Sequence, residues 1–240
     1  MDKGIGFNRN IKLEWLDAVA AFCSEVDAPV AIRQRLEPIL SQDRTGKEAI
    51  RKSIDILINI WVRNREAYPL LHQQAVTLFQ TTLEPEDRLW LHYGLTMLYY
   101  PFFRDCVAAI GQLSRYEETI TTQKVFDKMV GEMGHLGSIE RATQRVIASL
   151  RNWGILKDED ARFTYVPQYR FFTASSTTLE QWLLACTLHA HPAEEIPFAD
   201  LLQLPALFPF AFTISLHELR LANGFEVQRQ GVGMDMVRVT

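Results

Sequence analysis

Cysteine is scarce in this 240-residue chain: Cys23, Cys106 and Cys186 are scattered and odd in number. That excludes a disulfide framework and suits a reducing, cytoplasmic compartment. An excess of charge of either sign is also missing. Lys and Arg number 25 against 29 Asp and Glu, for a net charge of −4, which argues against a general nucleic-acid coat. Long apolar runs are absent too. Leu89 to Phe103 contains His92 and Pro101, and Leu201 to Leu216 contains Pro205 and Pro209. A spanning helix needs about 20 apolar residues, so both runs read as buried core helices. The first residues, MDKGIGFNRNIKLEWLD, lack the apolar core of a signal peptide. No membrane partner is expected.

Motifs that would nominate an enzyme are missing as well. Arg44-Thr45-Gly46-Lys47-Glu48 has the Gly-Lys of a phosphate loop but neither the leading glycine nor the following Ser or Thr. There is no G-x-S-x-G, H-E-x-x-H or C-x-x-C. Cys186, His189 and His191 come nearest to a metal set. His191 lies beside Pro192 at the end of its helix, so a buried thiol with surface histidines is the better reading. His72, His92, His135 and His217 have no acid or thiol partner in sequence. No catalytic group, cofactor, metal or small-molecule substrate is expected.

The most informative stretch runs from Thr121 to Gln168. A helix is expected from Gln123 to Met133, with Val125, Phe126, Met129 and Val130 as its apolar stripe. Gly131, Gly134 and Gly137 should break it, and Ser138 should cap the next helix through its hydroxyl. There Ala142, Val146, Leu150 and Trp153 recur at helical spacing, leaving Glu140, Arg141, Gln144, Arg145, Arg151 and Asn152 on other faces. Gly154 should stop that helix. Ile155-Leu156, a turn at Lys157-Asp158-Glu159-Asp160, and Phe163 to Val166 should make a β-hairpin. Helix, turn, helix and hairpin is the winged helix-turn-helix order, whose second helix enters the major groove.

Charge distribution agrees in a modest way. Residues 121–170 carry 8 basic and 6 acidic side chains, against 14 and 16 before them and 3 and 7 after them. Arg141, Gln144 and Arg145 are the groove candidates, since Gln can pair with adenine and Arg with guanine. Lys157 and Arg162 near the wing, with His135 and Ser138 in the turn, are candidate phosphate contacts. The bland alternative stays open: a solvated helix face, or a surface for a protein partner.

The rest is mainly α. Residues 1–115 read as a bundle of helices, with a clean helix from Thr45 to Arg65 and another from Tyr68 to Thr82. Glu84-Pro85-Glu86-Asp87 starts a further helix that Pro101 should kink or end. Arg33, Arg35, Arg44, Lys47, Arg51 and Lys52 interleave with Glu37, Asp43, Glu48 and Asp55, so a solvated face is preferred there over a second phosphate surface. Residues 116–172 hold the winged helix-turn-helix. Residues 173–240 echo it, with helices at Leu179 to His189, Phe198 to Leu204 and Phe212 to Ala222, then strands at Phe225 to Arg229 and Met234 to Val239. Leu150-Arg151…Gly154-Ile155 is repeated as Leu219-Arg220…Gly224-Phe225. The fold class expected is an N-terminal helical bundle followed by two small winged-helix-like units with short β-hairpins, the second unit acidic and better suited to protein.

A helical N-terminal bundle, the block RATQRVIASLRNWGIL at Arg141 to Leu156 and a second small domain ending in a hairpin resemble the BrxA family of the BREX bacteriophage-exclusion systems. The resemblance is one of architecture over most of the chain. It implies a non-enzymatic double-stranded-DNA-binding accessory protein that works with other protein subunits in phage defence. A protein–protein adaptor and a winged-helix transcriptional regulator remain the alternatives.

Overall fold

The computed structural model describes residues 5–25, 28–81, 84–134, 137–231 and 233–240. His135 therefore lies outside the described residues, as do Thr82 and Val232. The chain is mainly helical with small sheets of short strands.

After an extended lead-in whose Phe7 and Ile11 are fully buried, the first half is a helical bundle. Its helices are α1 (Leu13–Glu25), α2 (Pro29–Asp43), α3 (Lys47–Ile58), α4 (Asn64–Ala67), α5 (Pro69–Thr81), α6 (Pro85–Tyr99) and α7 (Pro101–Leu113). The helix expected from Thr45 to Arg65 is real but not uniform, because Asn59–Arg63 forms a π turn between α3 and α4. The extra residue in that turn widens the helix where Trp61 enters the core. Proline stands in the first turn of α2, α6 and α7, where its missing N–H costs nothing. Pro101 thus ends α6 at Tyr99, leaves Tyr100 as an extended cap between the helices, and opens α7.

The middle segment comprises β1 (Ile120–Thr121), α8 (Thr122–Met133), α9 (Ile139–Asn152), β2 (Leu156–Asp158) and β3 (Thr164–Pro167). The strands form one antiparallel sheet in the order β1-β3-β2. Two local expectations need correction. Gly131 does not break α8, which runs on to Met133 and ends at Gly134, where φ is +80°. Ser138 stands at the N-cap position of α9, but its αR backbone (φ −97°, ψ −13°) leaves the hydroxyl without a capping hydrogen bond. The two-residue strand β1 was too short to announce itself by alternation.

The last segment contains β4 (Phe172–Thr173), α10 (Thr177–Ala190), β5 (Ile196–Pro197), α11 (Phe198–Leu201), a 3-10 turn at Pro205–Leu207, β6 (Phe210–Ala211), α12 (Leu216–Leu221), β7 (Phe225–Gln230) and β8 (Met234–Val239). Its sheet order is β5-β8-β7, the same as in the middle segment, and β4 and β6 pair in parallel. The helix expected over Phe212 to Ala222 starts only at Leu216. The amides of Thr213 and Ile214 donate to the buried Glu180 carboxylate, and a capping box between Ser215 and Glu218 begins the helix just beyond. Likewise α11 stops at Leu201 rather than Leu204.

The three segments share one continuous hydrophobic core. Backbone approach is close at two glycines. A Cβ on Gly94 would lie 2.5 Å from the Trp182 ring, and one on Gly111 would lie 2.0 Å from the carbonyl oxygen of Pro205. Helices α6 and α7 thereby seat the C-terminal segment directly against the bundle.

Candidate nucleic-acid interface

The apolar stripe of α9 is buried as its spacing requires: Ile139, Ala142, Val146, Ile147, Leu150 and the following Trp153 all lie inside. Arg141, Gln144 and Arg145 are exposed on its N-terminal half. Among the described residues neither Arg141 nor Arg145 pairs with a carboxylate, while Gln144 makes a 3.3 Å hydrogen bond to Glu140 within the helix. The C-terminal half is committed elsewhere. The Arg151 guanidinium pairs with Asp158 at 2.5 Å and lies over the Tyr165 ring, holding the hairpin to the helix.

The far edge of α9 carries the lead-in of the chain. Ser149 Oγ accepts from the Ile11 amide at 2.8 Å, Asn152 Oδ1 accepts from the Leu13 amide at 2.7 Å, and the Trp153 indole N–H donates to the Ile11 carbonyl at 2.9 Å. Arg9 stands two residues before this anchor, and the Ser149 hydroxyl that accepts from Ile11 itself donates to the Arg145 carbonyl at 3.1 Å. Arg44, at the α2–α3 turn, closes on the same place: it donates to the carbonyl of Asn10 at 2.5 Å and stacks over Trp15 at 4.9 Å. Burial lowers the Arg44 pKa, and repulsion from Arg145 and Arg9 lowers it further. Sequence reasoning missed Arg9 altogether and placed Arg44 among solvated charges. Positions so far apart carry no local signal.

Four of the other basic residues of α2 and α3 are neutralised as the interleaving suggested, while Lys47 is exposed with no ion pair among the described residues. Arg33 pairs with Asp55 at 2.6 Å, Arg51 with Asp55 at 3.3 Å, Lys52 with Glu48 at 2.7 Å, and Arg35 with Glu25 at 2.7 Å.

At the hairpin, Lys157 extends over Phe171 at 5.3 Å and Arg162 over Phe163 at 4.6 Å. Both rings are more than half exposed. Phe163 takes a left-handed backbone, φ 61°, at the turn. Asp158, Glu159 and Asp160 are exposed between the two cations, so the hairpin presents more acid than base.

In the last segment the cations are mostly paired: Arg220 with Asp235 at 2.6 Å and Arg238 with Glu226 at 2.5 Å. Cys186 is buried, with its thiol pKa pushed up by desolvation. His189 packs on Tyr68, and His191 accepts from the Ala193 amide. Among the described residues no group of three or more His, Cys, Asp or Glu is placed to hold a metal ion. A cavity of about 450 Å³ between α5, α10 and the β7–β8 hairpin is lined by Leu70, Trp182, Phe225, Gln74, Gln181 and Asn223 among others, with no Asp, Glu, Lys or Arg in its wall. No described helix is long and apolar enough to cross a membrane.

Comparison with protein-family models, curated proteins and solved structures finds no match. The functional reading therefore rests on geometry.

Proposed function

We propose that the chain is a non-enzymatic, cytoplasmic accessory protein that binds duplex DNA through a winged helix-turn-helix formed by residues 101–167, with α9 in the major groove. One observation carries the reading. Helix α7, β1, α8, α9, β2 and β3 follow one another with a β1-β3-β2 sheet, the winged-helix order, and α9 exposes Gln144 together with Arg141 and Arg145, which have no ion pair among the described residues. Arginine and glutamine are the side chains that read guanine and adenine edges or hold phosphate. The β5-β8-β7 sheet of the last segment supports reading it as a second winged-helix-like unit. With two of its three arginines, Arg220 and Arg238, paired to acids, it is the poorer DNA reader. The likeness to BrxA suggests a setting in a BREX-type phage-defence complex, with other protein subunits as partners.

The experiment is duplex binding by the purified chain, titrated against salt with a random-sequence competitor. Binding that weakens steeply as salt rises is expected, because neutralised phosphates release counterions. Full competition by random sequence fits an accessory protein; a dimer resisting competition would indicate a regulator instead. No binding at low salt would remove the DNA reading.

An adaptor role is the second reading. It is favoured by the acidic hairpin turn and by the uncharged cavity beside Leu70, whose side chain is 73 % exposed. Stable co-purifying subunits together with no duplex binding would establish it.

A further inference from the structure

We propose that Arg9, Arg44 and Arg145 form an oxyanion site that grips a backbone phosphate beside α9, so that the helical bundle rather than the wing supplies the main hold on nucleic acid. The phosphodiester as ligand rests on the duplex-binding reading above; the anion chemistry does not.

Three elements converge there. The lead-in is tied to α9 through Ser149, Asn152 and Trp153, and Arg44 is tied to the lead-in through the Asn10 carbonyl. Among the described residues no carboxylate forms an ion pair with the cluster, although the Asp43 charge opposes part of the repulsion felt by Arg44. Of the carboxylates in its neighbourhood, Asp43 is engaged by Lys12 at 2.8 Å and accepts from the Trp15 indole at 3.2 Å, and Glu48 is engaged by Lys52 at 2.7 Å. Among the described residues no ion pair to Arg9, Arg44 or Arg145 exists. Gathering guanidinium groups costs Coulomb energy that grows as water is excluded, and a bound anion would reverse that cost. Arg44 is also held in advance. Its guanidinium lies over the Trp15 ring and is fixed to a backbone carbonyl, so little side-chain freedom is lost on meeting a phosphate. Repulsion from Arg145 and Arg9, which adds to burial in lowering the Arg44 pKa, agrees with this closeness.

The wing is the obvious alternative grip, and it is poorly suited. Lys157 and Arg162 rest on phenyl rings, and Asp158, Glu159 and Asp160 stand between them. With Asp158 taken by Arg151, Glu159 and Asp160 still offset Lys157 and Arg162, so the turn offers a phosphate no net positive charge.

The test has two arms, both on the full chain. In the first, the melting temperature is measured with inorganic phosphate or with chloride at equal ionic strength, for the wild type and for Arg9→Ala with Arg44→Gln. A phosphate-dependent rise in the wild type that vanishes in the double variant is expected. Equal responses in both proteins would overturn the site. In the second, the salt dependence of duplex binding is compared. The slope of log K against log salt should fall by about 0.9 in the double variant, the value for the one phosphate contact removed, with competition by random sequence unchanged. An unchanged slope alongside intact binding would overturn the bundle as the grip while leaving the winged-helix reading in place. A phosphate response without any duplex binding would overturn the nucleic-acid ligand. Should Arg44→Gln unfold, Arg9→Ala alone carries both arms, since among the described residues the hydrogen bonds of Arg9 reach only its neighbour Asn8.

Discussion

The indole N–H of Trp153 donates to the carbonyl oxygen of Ile11, 2.9 Å away and 142 residues earlier in the chain. Trp153 closes the apolar stripe of α9, and Ile11 sits in the lead-in, so this bond joins the proposed groove helix to the bundle. Its ring also packs against Phe103 at 5.5 Å. Trp153→Phe keeps much of the packing and strands a buried carbonyl. A loss of about 1–3 kcal/mol is expected, read by urea denaturation. A loss below a few tenths of a kcal/mol would mean that the lead-in is not anchored there.

Gly111 tests how the C-terminal segment is seated. An added methyl would meet the Pro205 carbonyl oxygen at 2.0 Å and the Phe208 Cβ at 2.9 Å. Neither is the free end of a flexible side chain, so backbone must shift. Gly111→Ala should cost about 1–3 kcal/mol as overpacking, although alanine is intrinsically the better helix former by about 1 kcal/mol. Gly131→Ala is the control, since nothing lies within 4 Å of its Cβ position and α8 runs through it. That substitution should stabilise slightly. A melting temperature raised by both substitutions would show that the close approach is absent.

Glu180 is 1 % exposed, yet its carboxylate is satisfied. It accepts from the Thr213 amide at 3.0 and 2.9 Å, from the Thr213 hydroxyl at 2.7 Å and from the Ile214 amide at 2.8 Å. Glu180→Gln turns one accepting oxygen into an NH2 group facing N–H donors. Hydrogen bonds to charged groups are worth about 1.5–3 kcal/mol each, so a loss of several kcal/mol is expected. The amide exchange of Thr213 and Ile214 should rise before the rest of the fold melts. Unchanged protection at those amides would refute this role.

How much of this was legible beforehand follows from where each signal lives. The spacing of Ala142, Val146, Leu150 and Trp153, the proline starts at Pro85 and Pro101, and the β7–β8 alternation are local, and they placed most long elements within a few residues. What failed was decided by distant partners. Glu180 claims the amides of Thr213 and Ile214, delaying α12, and the backbone at Ser138 leaves its hydroxyl idle. The short strands β1, β4, β5 and β6 carry too few residues to alternate, and their existence depends on the strands they meet. The site was half visible. Arg141, Gln144 and Arg145 follow from the stripe they are not part of. Arg9 and Arg44 join them only because the lead-in crosses α9.

His92 sets a pH expectation. Its ring is fully buried between the Trp61 indole N–H, which donates to Nδ1 at 3.0 Å, and the Asp17 carboxylate, 3.0 Å from Nε2. Tryptophan only donates, so Nδ1 accepts and the proton belongs on Nε2. Burial lowers the pKa below the ordinary 6.5, although Asp17 opposes that shift; the Arg88 charge adds to it. The unfolded chain then binds a proton that the folded one refuses. Stability is complete above about pH 6.5 and declines as pH falls from there towards the lower folded value. His189 and His191, also lowered by desolvation, add to the same slope. In His92→Gln the protein should be weaker near pH 7.5 but lose less between pH 6.5 and 5 than the wild type, by denaturant melts at each pH. An equal acid slope in the two proteins would assign it to other groups.

The α9 surface is tested by Arg141→Ala with Arg145→Ala. Both side chains are exposed and free of ion pairs among the described residues, so fold stability should change by no more than about 0.5 kcal/mol. Duplex affinity should fall further than in Arg9→Ala with Arg44→Gln, because Arg145 belongs to both surfaces and Arg141 faces the groove. If Arg141 reads a base, its loss costs about 1–3 kcal/mol and relaxes preference at one position. If it holds a phosphate, the loss is uniform across sequences and the salt slope falls by about 1. Titrating the double variant against a panel of duplexes at two salt concentrations separates these outcomes. Wild-type affinity in that variant would take α9 out of the interface. Binding would then have to come from some other surface, and the winged-helix topology would be a packing arrangement or a partner-docking one.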